Sequence, residues 1–310
     1  MGLDGMDRSV SFSQMASDLA TELGWTILHA AAQTLLRVDS QHSSDGAALV
    51  GFLSFIRSHP VQILGQAELD YLHSHPEQIY HVQRLRILVL AEGVQPASDW
   101  LASLMDEGVS ILVSALPARR ILVRVQQYLQ RELAPRCLLH GVLVDVLGVG
   151  ILIQGEAGIG KSELALELVS RHHRLIADDS VLCIREAPGV VTGHCPAALQ
   201  DFMEVRGLGI INIRHLFGAS SVIDSKRLRL VVEIRDMAEM ELADVDRLQG
   251  QVDHWDILGV PFPRLRLPVS AARNLAVLVE AAARAQYLRE AGVDMLALFD
   301  QQTRAVGHKL

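Results

Sequence analysis

The run Gly155-Glu156-Ala157-Gly158-Ile159-Gly160-Lys161-Ser162 has the spacing GxxxxGK[ST] without exception. Each residue type answers a need of a bound triphosphate. Glycines let backbone N–H groups turn inward around phosphate oxygens, and the N-terminus of a following helix adds positive potential. The lysine reaches the β- and γ-phosphates, and the serine hydroxyl ligates Mg²⁺. On the order of 10⁻³ such matches arise by chance in a chain of this composition. Lys161 stands out further because lysine occurs only at Lys161, Lys226 and Lys309, so nearly all other basic charge is arginine.

ATPases, GTPases and kinases all use such a loop, so the reaction must be read elsewhere. A guanine-specific NKxD is absent; Asp256-Ile257-Leu258-Gly259 matches DxxG but has no such companion, and the transporter-type LSGGQ is absent too. About one helix after the loop stands Asp178-Asp179. Two adjacent carboxylates at a strand end can divide two jobs, one holding metal and the other accepting a hydroxyl proton.

The elements that must position these groups follow from hydrophobic pattern. Gly141 to Val146 and Gly150 to Gln154 read as strands joined by a hairpin at Leu147-Gly148-Val149. The second strand feeds the glycine loop and then a helix from Lys161 to about Arg171, with Leu164 and Leu168 on one face and Glu163 and Glu167 on another. Arg174 to Ala177 reads as the strand that ends at the Asp pair, and Asn274 to Glu290 as an alanine-rich helix closed by Gly292. Upstream, Ile87 to Leu90 and Ile111 to Val113 read as buried strands. Trp100 to Met105 and Ile121 to Leu129 read as helices, the latter ending before Pro135. The expected organisation is an N-terminal α/β domain over 1–133 and a P-loop domain over 134–310, with the boundary near Ala134-Pro135.

At 310 residues, 50% of them hydrophobic, the chain can bury a sizeable core, which excludes disorder. Lys+Arg 28 against Asp+Glu 36 gives −8, the wrong sign for a general nucleic-acid binder. The 13 histidines bear on partners and solubility rather than on fold. Cys137, Cys183 and Cys195 form no CxxC and cannot all pair within the chain. The first ten residues, with Asp4 and Asp7, lead into no apolar run of signal-peptide type, and no apolar stretch is long enough for a membrane span. The expectation is a cytoplasmic protein without membrane or nucleic-acid partners.

These residues resemble the HPr kinase/phosphorylase family, bacterial enzymes that phosphorylate a serine of the phosphocarrier HPr. The resemblance runs through His140-Gly141-Val142-Leu143-Val144-Asp145-Val146, Gly160-Lys161-Ser162-Glu163 and Arg174-Leu175-Ile176-Ala177-Asp178-Asp179. Its most specific part is Glu204-Val205-Arg206-Gly207-Leu208-Gly209-Ile210-Ile211-Asn212; Asp246-Arg247-Leu248 and Ile257-Leu258-Gly259-Val260 follow in the family's order. Gln62-Ile63-Leu64-Gly65 with Glu68 and Tyr71-Leu72 resembles its N-terminal domain more loosely.

The resemblance implies an α/β fold whose catalytic domain is of the HPr kinase/phosphoenolpyruvate carboxykinase type. It implies that Lys161 and the loop amides hold the nucleotide phosphates and that Ser162 and Glu204 bind Mg²⁺. Asp179 would deprotonate the acceptor serine and return the proton in reverse, supported by His140, while Arg247 would contribute to phosphoryl transfer. The family reverses its kinase by phosphorolysis, in which inorganic phosphate attacks phosphoserine and pyrophosphate leaves, and microscopic reversibility lets one carboxylate serve both directions. Arg206 and Gly207 fall in the signature segment. A homohexamer is also implied, and HPr or its nitrogen-system paralogue would be the acceptor. Residue chemistry alone leaves two other readings: a small-metabolite kinase, and a binding module that only senses nucleotide.

Two segments depart from the family. Arg171-His172-His173 stands where Arg-Gly-His is usual, and histidine tolerates positive φ less readily than glycine. Ala271-Ala272-Arg273-Asn274 stands where Pro-Gly-Arg-Asn is usual, in a segment linked to the phosphorylase direction. His73-Ser74-His75 and His172-His173 lack a third ligand at metal spacing. Kinase activity is expected to be intact, and Arg273→Ala is expected to slow phosphorolysis of the phosphorylated acceptor. Equal phosphorolysis rates in wild type and variant would remove Arg273 from that step.

Overall fold

Strands such as Val142 to Val146 and Ile151 to Ile153 are apolar at nearly every position, so they need cover on both faces. The computed structural model describes residues 9–32, 34–37, 46–54, 59–75, 85–236, 253–269, 274–293 and 297–298, in two units that part between Pro135 and Arg136.

The first unit runs β1 (Ser9–Ser11), α1 (Phe12–Asp18), α2 (Ala20–Leu23), β2 (Thr26–His29), β3 (Leu35–Arg37), β4 (Val50–Phe52), β5 (Val61–Leu64), α3 (Gln66–Ser74), β6 (Ile87–Leu90), α4 (Ser98–Asp106), β7 (Ser110–Val113) and α5 (Ala118–Glu132). Strands β4 to β7 are parallel neighbours in sequence order, and β2 adds an antiparallel edge on β7. Strand parity divides the core: Ile63, Ile87 and Val89 pack with α1 and α5, while Leu64, Leu88 and Leu90 pack with α3 and α4. Beyond β6, Glu92 takes φ 58° and its carboxylate accepts from the backbone N–H of Gln66 and of Ala118, at the starts of α3 and α5. Those two hydrogen bonds hold its carboxyl below the ordinary carboxylate range.

The second unit runs β8 (Arg136–His140), β9 (Val142–Val146), β10 (Val149–Gln154), α6 (Lys161–Ser170), β11 (Arg174–Ala177), β12 (Ser180–Ala187), β13 (Val190–His194), β14 (Phe202–Val205), β15 (Gly209–Asn212), α7 (Ile213–Phe217), β16 (Ser225–Asp236), β17 (Asp253–Ile257), β18 (Val260–Val269) and α8 (Leu275–Glu290). The long β16 joins two halves of a nine-stranded sheet. Its first residues pair antiparallel with β13, and its later ones run parallel to β10 and β18. Val142, Val144, Ile151, Ile153 and Val232 face α6 and α8, whereas Leu143, Leu152 and Val231 face the layer of β8, β12 and β13. A one-residue slip of β10 would exchange these two sets of side chains between two differently shaped interiors and force both to repack, so packing specifies the register that delivers the P-loop. Asp145 has the same parity as Leu143 and is buried, with Arg174 and Lys226 as ion-pair partners.

One hairpin turn falls where the sequence expects it, and a second lies at a motif read differently from sequence. The β9–β10 hairpin turns through Leu147 (φ 52°) and Gly148 (φ 87°), the double positive φ of a two-residue hairpin. The DxxG of Asp256 to Gly259 is the β17–β18 hairpin turn, where Asp256 Oδ1 accepts from Gly259 N–H at 2.9 Å. Among the described residues, no helix is long and apolar enough to cross a membrane.

The Arg171-His172-His173 departure is absorbed at the end of α6. His172 takes φ 68°; its N–H donates to Val169 O and that of His173 to Leu168 O, the paired bonds of a Schellman cap with histidine in the left-handed position. Arg171 and His173 then both bond Glu280 of α8, and the Arg171 guanidinium foremost pulls that carboxyl down to about 2. The His172 side chain is exposed, so the backbone term dominates any substitution there. His172→Gly is expected to stabilise this unit by about 0.5–1 kcal/mol, after the entropy cost of glycine in the unfolded chain. Urea unfolding checks it; a lower midpoint would show that the histidine ring carries a contact worth more than the strain.

Candidate active site

The P-loop occupies the turn between β10 and α6. Chain approach to β16 is so close that a Cβ on Gly155 would lie 2.5 Å from Ile234 O, and Gly160 caps α6 with φ 106°, both reasons for glycine at those positions. Ile159 packs against the α6-side core and anchors the loop's middle. Lys161 is buried, its ammonium donating to Gly155 O at 3.0 Å and Glu156 O at 2.8 Å. Its reach therefore spans the concavity that the loop encloses.

The Asp pair splits at a three-residue turn. Ser180 N–H donates to Asp178 O at 2.7 Å around Asp179, which takes φ 65°, a strained γ-turn form that a non-glycine residue keeps only when its surroundings enforce it. At this turn the two carboxylates point opposite ways. Asp178 is 4% exposed; its Oδ1 accepts from Ser162 Oγ at 2.9 Å and its Oδ2 from Glu204 N–H at 3.0 Å. Burial pushes the Asp178 carboxyl above the ordinary carboxylate range, against the pull of those two donors. The Asp179 side chain is 72% exposed.

His140, at the end of β8 and directly paired with Ser180, reaches Asp179 through one ring nitrogen. Nδ1 lies 2.9 Å from Asp179 O and 3.1 Å from Asp179 Oδ1. A carbonyl oxygen only accepts, so Nδ1 carries a proton.

The β14–β15 hairpin supplies the opposite wall. Its turn begins after Val205, and Arg206 crosses to the loop, where a Cβ on Gly158 would stand 2.8 Å from Arg206 Nη2. Glu204 and Arg206 form no ion pair with each other among the described residues. His140, Ala157, Gly158, Gly160, Lys161, Ser162, Asp179, Glu204, Arg206 and Gly207 thus line one cleft of about 540 Å³, joined by Asp178. Gly155, Glu156 and Ile159 belong to the same loop. Arg247 and Arg273, with Ala271-Ala272, lie outside the described residues.

The hydroxyl of Ser162 and the carboxylates of Asp178 and Glu204 are hard oxygen donors at one wall of this cleft. No group of three or more His, Cys, Asp or Glu side chains forms a protein-only metal cage among the described residues. That donor set fits an ion held by one or two protein oxygens and the substrate's own phosphates. Asp178 is the residue whose job the sequence leaves open: a strand-end Asp pair shows that two carboxylates are present, but its contact with Glu204, 26 residues away, appears only on folding.

Phosphoryl transfer to an external hydroxyl is the chemistry that a phosphate cradle beside an exposed, braced carboxylate serves, and it places the second unit among P-loop phosphotransferases. The model of the HPr Serine kinase C-terminal domain matches residues 131–303, and that of the HPr Serine kinase N terminus matches 10–129. The chain is 40% identical over 308 residues to the HPr kinase/phosphorylase of Bordetella pertussis, covering 96% of this chain and 98% of the relative. It is 36% identical over 315 residues to that of Ralstonia nicotianae, covering 98% and 95%. A solved structure of the Hpr(Ser) kinase/phosphatase from Coxiella burnetii shares 32% identity, covers 52% of this chain and 97% of that one, and superposes with a TM-score of 0.47. The chain belongs to the HPr kinase/phosphorylase family and is an ATP-dependent serine kinase with phosphorylase activity.

Asp178→Ala removes the acceptor of both the Ser162 hydroxyl and the Glu204 amide. Amide exchange at Glu204 is expected to quicken about tenfold or more, the equivalent of one lost charge-assisted hydrogen bond. Unchanged exchange, read by NMR, would mean that the hairpin is held by its own strand pairing.

Proposed function

We propose that this kinase/phosphorylase transfers the γ-phosphoryl group of Mg-ATP to a serine of an HPr-type phosphocarrier, with Asp179 as base, and runs the reverse reaction with inorganic phosphate. The observation that carries this reading is the pairing, across one cleft, of the P-loop with an outward-facing Asp179 carboxylate held by His140 Nδ1. A serine hydroxyl is a poor nucleophile and needs a carboxylate at hydrogen-bond reach. An exposed carboxylate suits an acceptor that arrives on another folded protein.

Lys161 and the loop N–H groups bind and orient the phosphates, and Arg206 adds charge at the rim. Ser162 and Glu204 would hold Mg²⁺, with Asp178 fixing the Ser162 hydroxyl and the Glu204 backbone; such an ion would supply positive charge for the phosphate oxygens. Asp179 takes the serine proton, and in phosphorolysis returns it to the leaving seryl oxygen while phosphate oxygen attacks phosphorus and pyrophosphate departs. Family resemblance assigns Arg247 to the transfer step and Arg273 to the phosphorylase direction. Resemblance likewise supplies the homohexamer, and the free thiols Cys137, Cys183 and Cys195 accord with a cytoplasmic setting.

Labelled γ-phosphate supplied as Mg-ATP is expected to appear as phosphoserine on purified HPr and to leave as pyrophosphate when inorganic phosphate is added. Lys161→Ala should lose nucleotide binding, whereas Asp179→Asn should keep nucleotide affinity and lower kcat by about 10²–10⁴-fold. Full turnover by the Asp179 variant would exclude it as the base. ATP binding without transfer to HPr would favour a small-metabolite kinase or a nucleotide sensor.

A further inference from the structure

Asp179 sits in a strained turn, so something must enforce it. Three donors converge on that turn's chain: Gly141 N–H reaches Asp179 O at 3.1 Å, His140 Nδ1–H reaches the same oxygen, and Ser180 N–H closes the turn on Asp178 O. Two of the three come from His140-Gly141, so the placement of that dipeptide sets the placement of the carboxylate. His140-Gly141 is in turn seated on β10. A Cβ on Gly141 would lie 2.7 Å from Ile153 O and 3.4 Å from Gln154 Cγ, so the chain lies flat against the end of the strand, under the Gln154 side chain. From there Gln154 Nε2 donates to His140 O at 3.0 Å. The amide orientation is settled by its partner, since a carbonyl oxygen accepts only from the NH₂ side.

We propose that Gln154 is a positioning residue for phosphoryl transfer, whose side-chain amide ties the strand carrying the P-loop to His140 and thereby fixes Asp179 relative to the bound phosphates. Gln154 is the last residue of β10, and Gly155 opens the loop directly after it. One side chain thus links the strand that opens the phosphate cradle to the dipeptide that holds the base, beside the Ser162 Oγ–Asp178 hydrogen bond that joins the two segments on the other side of the loop. Gln154 is not among the residues that line the cleft, and it acts through His140. The inference rests on the reading of Asp179 as the base, and a displacement of that base by a fraction of an ångström costs rate without costing nucleotide affinity.

The test uses the full chain and Gln154→Met, which keeps length and packing over Gly141 but removes the donor. The kcat for transfer from Mg-ATP to HPr is expected to fall about tenfold, with the nucleotide Kd and the KM for Mg-ATP within about twofold of wild type. In a His140→Ala background the same substitution is expected to cost clearly less than tenfold, because the ring that the brace orients is gone and only the Gly141 N–H contact to Asp179 O is left to be held. Long-range ¹⁵N–¹H spectra of the His140 ring read the brace without turnover: a single Nδ1–H tautomer in wild type, and a mixture in Gln154→Met. A kcat within twofold of wild type, an equal tenfold loss in the His140→Ala background, or an unchanged ring signature would each overturn the proposal. If wild type itself transfers nothing to HPr, the functional reading fails while the ring signature still decides whether Gln154 holds His140. Gln154→Leu serves as a second donor-free side chain should the methionine variant fail to bind nucleotide.

Discussion

The second unit depends on one local constraint, the γ-turn at Asp178-Asp179-Ser180. A regular strand would alternate the two carboxylates across the sheet. At this turn Asp178 likewise points inward, to the Ser162 hydroxyl and the Glu204 amide, and Asp179 faces solvent beside the P-loop, its chain bent by a positive φ where the strand stops. One carboxylate thereby organises the wall of the cleft while its neighbour stays available to a hydroxyl. Such a turn is costly, and the cost is offset by the donors from His140 and Gly141 that meet on the Asp179 carbonyl.

The rest of the unit makes that turn possible by burying strands on both faces. Residues of β9, β10 and β16 pack by parity against helices α6 and α8 on one side and against β8, β12 and β13 on the other. The loop after β10 and the turn before β12 are therefore fixed to the same packed interior, which suits a reaction whose catalysis is mostly positioning. The paired hold of Arg171 and His173 on Glu280 joins α6 to α8, so the helix that follows the P-loop is restrained at its far end.

Much of this was legible in the residue order because the signals are local. Gly155 to Ser162 announces a phosphate cradle by spacing, the Leu147-Gly148 turn announces its hairpin, and the spacing of Leu164 and Leu168 announces a one-faced helix; all three need only neighbours along the chain. His172 shows the limit of reading residue type by itself: histidine disfavours positive φ, yet the two capping hydrogen bonds of the Schellman motif hold it there. Asp256 to Gly259 shows the converse, a motif of nucleotide switches whose aspartate closes a hairpin turn.

The sequence by itself determined the class of chemistry, the order of the strands and helix around the P-loop and the family, because the phosphate-loop pattern and hydrophobic periodicity are written in short-range spacing. Tertiary structure alone decided which aspartate turns inward, that the Glu204 amide closes on it from 26 residues away, and that Gln154 reaches back to His140. Those contacts join residues far apart in the chain, through hydrogen bonds whose partners exist only once the sheet has brought its strand ends together.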